Sequence, residues 1–156
     1  QRGRLDAETT ANIGVIAGGT ATNIIPDYVE VRGEARSLRE EKLVRATEAM
    51  AREFMAAAGE ENAQVDLTVN RLYPAFHLPE EHELLQLVKR AGEACDVPVT
   101  LMSTGGGSDA NIFNGKGIAA VNLAVGNEEV HTVNEYLVLP ELVKTVALAV
   151  KIVELA

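Results

Sequence analysis

Two short loops hold the residue types best suited to chemistry. Ser-Thr-Gly-Gly-Gly-Ser-Asp at 103–109 places three glycines before a serine and an aspartate. Gly-Asn-Glu-Glu-Val-His at 126–131 brings a histidine beside two glutamates. Glycines let backbone amides approach a ligand closely, and a helix opening at Ser108 or Asp109 would offer amides to a carboxylate or phosphate. The same stretch serves equally well as a tight turn with no ligand. It matches neither G-x-G-x-x-G nor G-x-x-x-x-G-K-S/T, so the nucleotide fingerprints are excluded. His131, near Glu128, Glu129 and Glu135, could be a metal ligand, a general base or a solvated side chain.

The remaining candidates are weaker. His77 and His82 are five apart, which misses the i, i+4 spacing of helical zinc ligands, and they read as surface residues beside a helix start. Arg36 ends a strand whose polar face alternates Glu30, Arg32, Glu34 and Arg36, a pattern usual for a solvated surface. Cys95 suits a buried helix position better than a reactive one. With three histidines and one cysteine there is no H-E-x-x-H and no C-x-x-C pair.

These loops must be carried by a regular scaffold. Residues 12–18 predict a short strand with Ile13, Val15 and Ala17 on one face, and 29–37 alternate with period two, so each predicts a strand in a sheet covered on one side. Pro26-Asp27 marks the turn between them. Ser37 and Glu40 predict a capping box opening a helix. Leu43, Val44, Thr47, Met50, Ala51, Phe54 and Met55 form its apolar face, and Gly59 closes it. Residues 64–70 alternate again through Val65, Leu67 and Val69. Strand, strand, helix, strand is an α+β unit.

Beyond Tyr73-Pro74 the texture changes. A second amphipathic helix is expected over 80–95 and a strand over 97–102. A brief helix ends at Gly115, and 118–125 predicts a strand buried on both faces. A final helix opens at Pro140 and runs to Leu155. Alternating helix and strand predict a parallel sheet flanked by helices, with both loops at the carboxyl edge where ligands bind. The fold class expected is α/β, with domains at 1–73 and 74–156.

The balance of residues narrows the function further. Hydrophobic residues make up 47% and charged residues 24% of the 156, enough apolar material for a packed core. A net charge of −9 argues against nucleic acid and anionic membranes as partners. No apolar run is long enough to span a bilayer. The single cysteine excludes a disulfide within the chain and fits a cytoplasmic, reducing location.

Several short patterns together resemble the two-zinc exopeptidases, a family including peptidase T-like tripeptidases, glutamate carboxypeptidases, aminoacylases and acetylornithine deacetylases. Asn-Ile-Gly-Val-Ile-Ala-Gly-Gly-Thr-Ala-Thr-Asn-Ile-Ile-Pro-Asp (12–27) and Glu34-Ala35-Arg36 resemble the family's lid, or dimerisation, domain. Gly105-Gly106-Gly107-Ser108-Asp109-Ala110 and Glu129-Val130-His131-Thr132 resemble two later motifs of its catalytic domain. Ala-Val-Asn-Leu-Ala-Val-Gly (120–126) and His-Thr-x-Asn-Glu (131–135) place the resemblance nearest the peptidase T-like branch, and it extends over essentially the whole chain.

The resemblance implies a metal-dependent exopeptidase acting on short peptides through two zinc ions per complete subunit, with cobalt or manganese as possible substitutes. His131 matches the last zinc ligand. Asn23 and Arg36 match lid residues that bind the reacting carbonyl region and the substrate carboxylate. Gly106, Gly107 and Ser108 match a loop whose backbone contacts the substrate, and Glu135 is a candidate acceptor for the second ring nitrogen of His131. The family's H-x-D motif, bridging aspartate and Glu-Glu pair do not occur, so no catalytic residue is assigned. The expectation is a carboxyl-terminal piece, truncated at the start of its lid, inactive alone, and forming a homodimer through that lid. Two other readings stand beside it: a non-catalytic dimerisation or anion-binding module, and an amidohydrolase acting on N-acylated amino acids.

Overall fold

A long antiparallel hairpin organises the first of two units. The computed structural model describes residues 3–156. The first unit runs to Ala75 and includes Thr104–Gly106; the second comprises Phe76–Ser103 and Gly107–Ala156. The fold is mixed α/β, as expected.

In the first unit a short strand β1 (Gly3–Arg4) pairs with β2 (Thr9–Gly18), which pairs antiparallel with β3 (Val29–Ser37). The polar alternation of 29–37 emerges as one strand over those residues. Its partner departs from the expected pattern. A bulge lies between Ile13 and Val15, so that Ile13 faces Gly33 while Val15 faces Arg32. The extra residue, Gly14, reverses the side-chain alternation. Val15 and Ala17 thus join the polar face opposite Arg32 and Glu30, and Ile16 takes the face of Ile13.

Helix α1 (Glu40–Glu60) lies on the apolar face of this hairpin. Ala46 is buried, and Leu43, Thr47, Met50 and Phe54 are half-buried around it, whereas Val44 and Met55 are exposed. Gly33 admits the helix: a Cβ there would lie 2.7 Å from Asn12 O and 3.2 Å from Met50 Cε. Ser37 does not cap the helix. Arg39 is the cap residue and makes no side-chain cap bond. Because β3 holds Ser37 in register with Thr9, its hydroxyl is used across the hairpin, 3.0 Å from Thr9 Oγ1, and accepts the Arg39 N–H at 3.2 Å. Glu40 and Glu41 still place negative charge in the first turn, where the helix dipole favours it. The helix ends one residue beyond Gly59.

The second unit pairs helix α2 (Glu83–Ala94) with a helix at the carboxyl end, α4 (Leu139–Leu155). Between them lie a short helix α3 (Asp109–Gly115) and strands β4 (Asn127–Glu128) and β5 (Tyr136–Leu137), which pair with each other. Leu85, Val88 and Ala91 of α2 and Leu148 of α4 are buried, each large side chain worth about 1.5–3 kcal/mol. His82 caps α2, its Nδ1 accepting the Leu84 N–H at 3.1 Å.

Three expected strands are absent. Among the described residues, 64–70, 97–102 and 118–125 join no ladder, so no parallel sheet forms. Period-two patterning reports an extended, one-sided chain; a strand needs a neighbour as well. The run 118–125 is half-buried at Val121, Leu123 and Val125 and exposed between them, not covered on both faces. Side chains hold it in place of a ladder. Asn114 Nδ2 donates to Ala120 O at 2.8 Å, and Thr145 Oγ1 donates to Ala124 O at 2.7 Å.

Candidate functional site

In the first unit the candidates are Arg36 and Asn23. Arg36 stands opposite Thr10 near the carboxyl end of β3, on the strand's polar face. Its guanidinium is held by Glu34, Nε lying 2.8 Å from Oε1 and Nη2 donating to Oε2 at 3.0 Å. That contact raises the guanidinium's pKa and keeps it charged. Asn23 lies in the loop joining β2 to β3, every residue of which, 19–28, is exposed. Val29, where β3 leaves that loop, is seven residues from Arg36, about 23 Å along a strand. The hairpin therefore places the two candidates at opposite ends.

The glycine loop is more occupied than its sequence suggests. Gly106 N–H donates to Thr104 Oγ1 at 3.2 Å. Ser108, not Asp109, caps α3 in a reciprocal box with Asn111, and its own N–H donates to Asn111 Oδ1 at 3.0 Å. Asn122 Nδ2 donates to Ser108 Oγ at 2.8 Å. Two of the amides that could meet an anion are thus satisfied by neighbouring side chains, while Gly105, Gly106 and Gly107 remain exposed.

His131 sits at the tip of the β4–β5 connection with a left-handed φ of 68°, and Glu129 shares that region at 50°. Such backbone is uncommon for non-glycine residues and needs neighbours to hold it. Glu135 does so, Oε2 accepting the His131 backbone N–H at 3.0 Å and Oε1 accepting from Asn127 Nδ2 at 3.2 Å. These bonds, the His131 amide first, lower the Glu135 pKa. The carboxylate thus fixes the histidine through its main chain. The imidazole belongs to an exposed residue, and no group of three or more His, Cys, Asp or Glu able to hold a metal occurs among the described residues. A zinc ion therefore does not fit this chain's own donors as a complete site.

Glu34, Thr104, Asn111 and Asn122 were not singled out by sequence reasoning. The alternating charges of β3 carried the signal for Glu34, read there as solvated surface. The others act through hydrogen bonds that no spacing rule marks.

The first unit is thus a charged antiparallel hairpin backed by one long helix. Residues 2–62 match the family model of the peptidase dimerisation domain. Over nearly its whole length the chain is also related to the peptidase T-like proteins. It is 45% identical to aminopeptidase PepT from Bacillus cereus, with a TM-score of 0.85 over 99% of this chain and 42% of that one. A tripeptidase from Staphylococcus aureus superposes with a TM-score of 0.89 at 33% identity, over 98% of this chain and 41% of its own. The Bacillus subtilis protein YqjE, described as uncharacterized, is 43% identical over 97% of this chain and 41% of its own length. The chain thus spans about two fifths of the length of each of these relatives.

Proposed function

We propose that this chain is the lid and terminal catalytic portion of a metal-dependent exopeptidase that hydrolyses short peptides. The observation that carries the reading is 45% identity over 99% of the chain to an aminopeptidase. Residues 1–73 supply the lid and 74–156 the end of the catalytic domain. Within it, Arg36 binds a substrate carboxylate, a task suited to a planar guanidinium and poorly served by lysine. Asn23 contacts the reacting carbonyl region, and the loop of Gly106, Gly107 and Ser108, exposed at its two glycines, orients the peptide. His131 would be one ligand of a dinuclear zinc centre whose other ligands lie outside the described residues; such a centre would supply Lewis-acid polarisation of a carbonyl and an activated water. In this reading the chain alone does not hydrolyse peptides, which the lack of a complete metal-holding group among the described residues supports. Its location is cytoplasmic, in keeping with one unpaired cysteine.

The hairpin geometry favours a homodimer. A tripeptide is far shorter than the span from the loop of Asn23 to Arg36, so one substrate touching both takes Asn23 from one copy and Arg36 from another. Among the described residues no helix is long and apolar enough to cross a membrane.

The test is tripeptide hydrolysis by the full-length parent, with zinc, with a chelator, and beside this chain. Chelator-sensitive cleavage by the parent alone is expected, together with its loss in His131→Ala. Undiminished cleavage by His131→Ala would overturn the ligand assignment. Cleavage of N-acylated amino acids in place of peptides would move the reading to an amidohydrolase.

A further inference from the structure

We propose that Glu34 is the positioning residue of the Arg36 site and makes it selective for a single carboxylate over multiply charged anions. This rests on the reading of Arg36 as the carboxylate-binding residue. A guanidinium presents its five N–H donors on a planar fork. Glu34 occupies the edge formed by Nε and Nη2, at 2.8 and 3.0 Å. The adjacent edge, one hydrogen each from Nη1 and Nη2, is not used by Glu34 and suits a second planar acceptor. Because a two-point contact fixes both the plane and its direction, Glu34 decides where the free edge points. The Arg36 side chain is 45% exposed, so a ligand can reach it.

The charges give the selectivity. Glu34 and Arg36 together are neutral, so a lone carboxylate is bound by the geometry of the fork and by little net attraction. A phosphate, or a peptide ending in aspartate or glutamate, brings an additional negative charge against the adjacent Glu34, whereas Arg4, the next cation in that register, lies a strand further off across Thr10. Between charges exposed to water that repulsion is worth about threefold in affinity. Arg32 provides an internal comparison. It is held by Glu30 in the same manner, at 2.9 and 2.9 Å, on the same strand face.

The experiment follows the arginine side-chain resonances of this chain by NMR at low ionic strength, titrated with triglycine, triglycine amide and inorganic phosphate. Triglycine should move the Arg36 guanidinium signals and its amide should not. Glu34→Gln should raise the phosphate-to-triglycine affinity ratio about threefold, while Glu30→Gln leaves it unchanged. Glu34→Asp keeps the charge but shortens the reach, so it should weaken triglycine binding without raising that ratio. Backbone amide spectra verify that each variant is folded. An unchanged ratio in Glu34→Gln, or an equal rise in Glu30→Gln, overturns the role of Glu34 and leaves Arg36 standing. If triglycine does not move Arg36 in the unaltered chain, or binds Arg36→Lys equally well, the reading of Arg36 itself fails, and this inference with it.

Discussion

In the first unit two extended runs close in sequence pair along nearly their full lengths, from Thr9 with Ser37 to Gly18 with Val29. In the second, two apolar runs, 97–102 and 118–125, carry patterns as strand-like but pair with nothing among the described residues. The difference lies in where a strand's partner comes from. A hairpin partner follows directly after one connecting loop, here of ten residues, whereas a parallel partner must be brought back by a crossover and docked. Helix α4 repeats the lesson. It buries Leu148 against the rest of its unit yet leaves Val143, Val146, Val150 and Val153 exposed. A helix apolar on all sides suits an environment that covers it twice.

The contrast predicts that the second unit depends heavily on few contacts. Leu85→Ala, removing a side chain of α2 that is only 5% exposed, should cost about 2–5 kcal/mol. Hydrogen exchange should show α2 and α4 losing protection while β2 and β3 retain theirs. Equal loss in both would show that the two units unfold as one, and the comparison would break.

A smaller effect sharpens it from the other side. Gly33→Ala places a methyl 2.7 Å from Asn12 O and 2.8 Å from Ile13 Cδ1, and the backbone atom has little room to yield. The expected cost is about 1–3 kcal/mol, confined to the hairpin and α1. Gly105→Ala, whose added methyl meets nothing within 4 Å, should leave urea unfolding unchanged. Similar costs at both glycines would show that the loss does not come from packing beneath Met50, since Gly→Ala without strain is otherwise neutral to stabilising.

What could be read beforehand follows the same division. The strand over 29–37, the helix after it, the short helix ending at Gly115 and the final helix through Pro140 rest on local signals, and all four form. Gly14 was not recognisable as a bulge, because its position shows only in the register with Gly33 and Arg32. Ser37 and Glu40 had capping-box spacing, but the ladder claimed Ser37 first. The site residues were legible through family resemblance, and their surroundings were not. Resemblance marks Arg36 and His131 as candidates; only geometry shows that Glu34 grips one side chain and Glu135 the other's main chain.

The smallest effect expected is electrostatic and again distinguishes the units. At the turn between β1 and β2, Asp6 Oδ1 accepts the Glu8 N–H at 2.7 Å, and Lys42 of α1 lies 3.2 Å from Oδ2. The Glu8 amide above all, with Lys42 assisting, lowers the Asp6 pKa below its ordinary value. A carboxyl whose folded pKa is depressed stabilises the fold above the unfolded value and loses that contribution as pH falls through the folded one. The hairpin's Tm should therefore decline across the acidic carboxylate range more steeply in the unaltered chain than in Asp6→Asn, which keeps the turn acceptor and removes the charge. In the second unit Lys89 lowers the Glu80 pKa in the same direction, so Glu80→Gln should flatten the acid dependence there and leave the hairpin's unchanged. If Asp6→Asn flattens both profiles equally, acid stability belongs to the whole chain and the division between the units does not extend to their electrostatics.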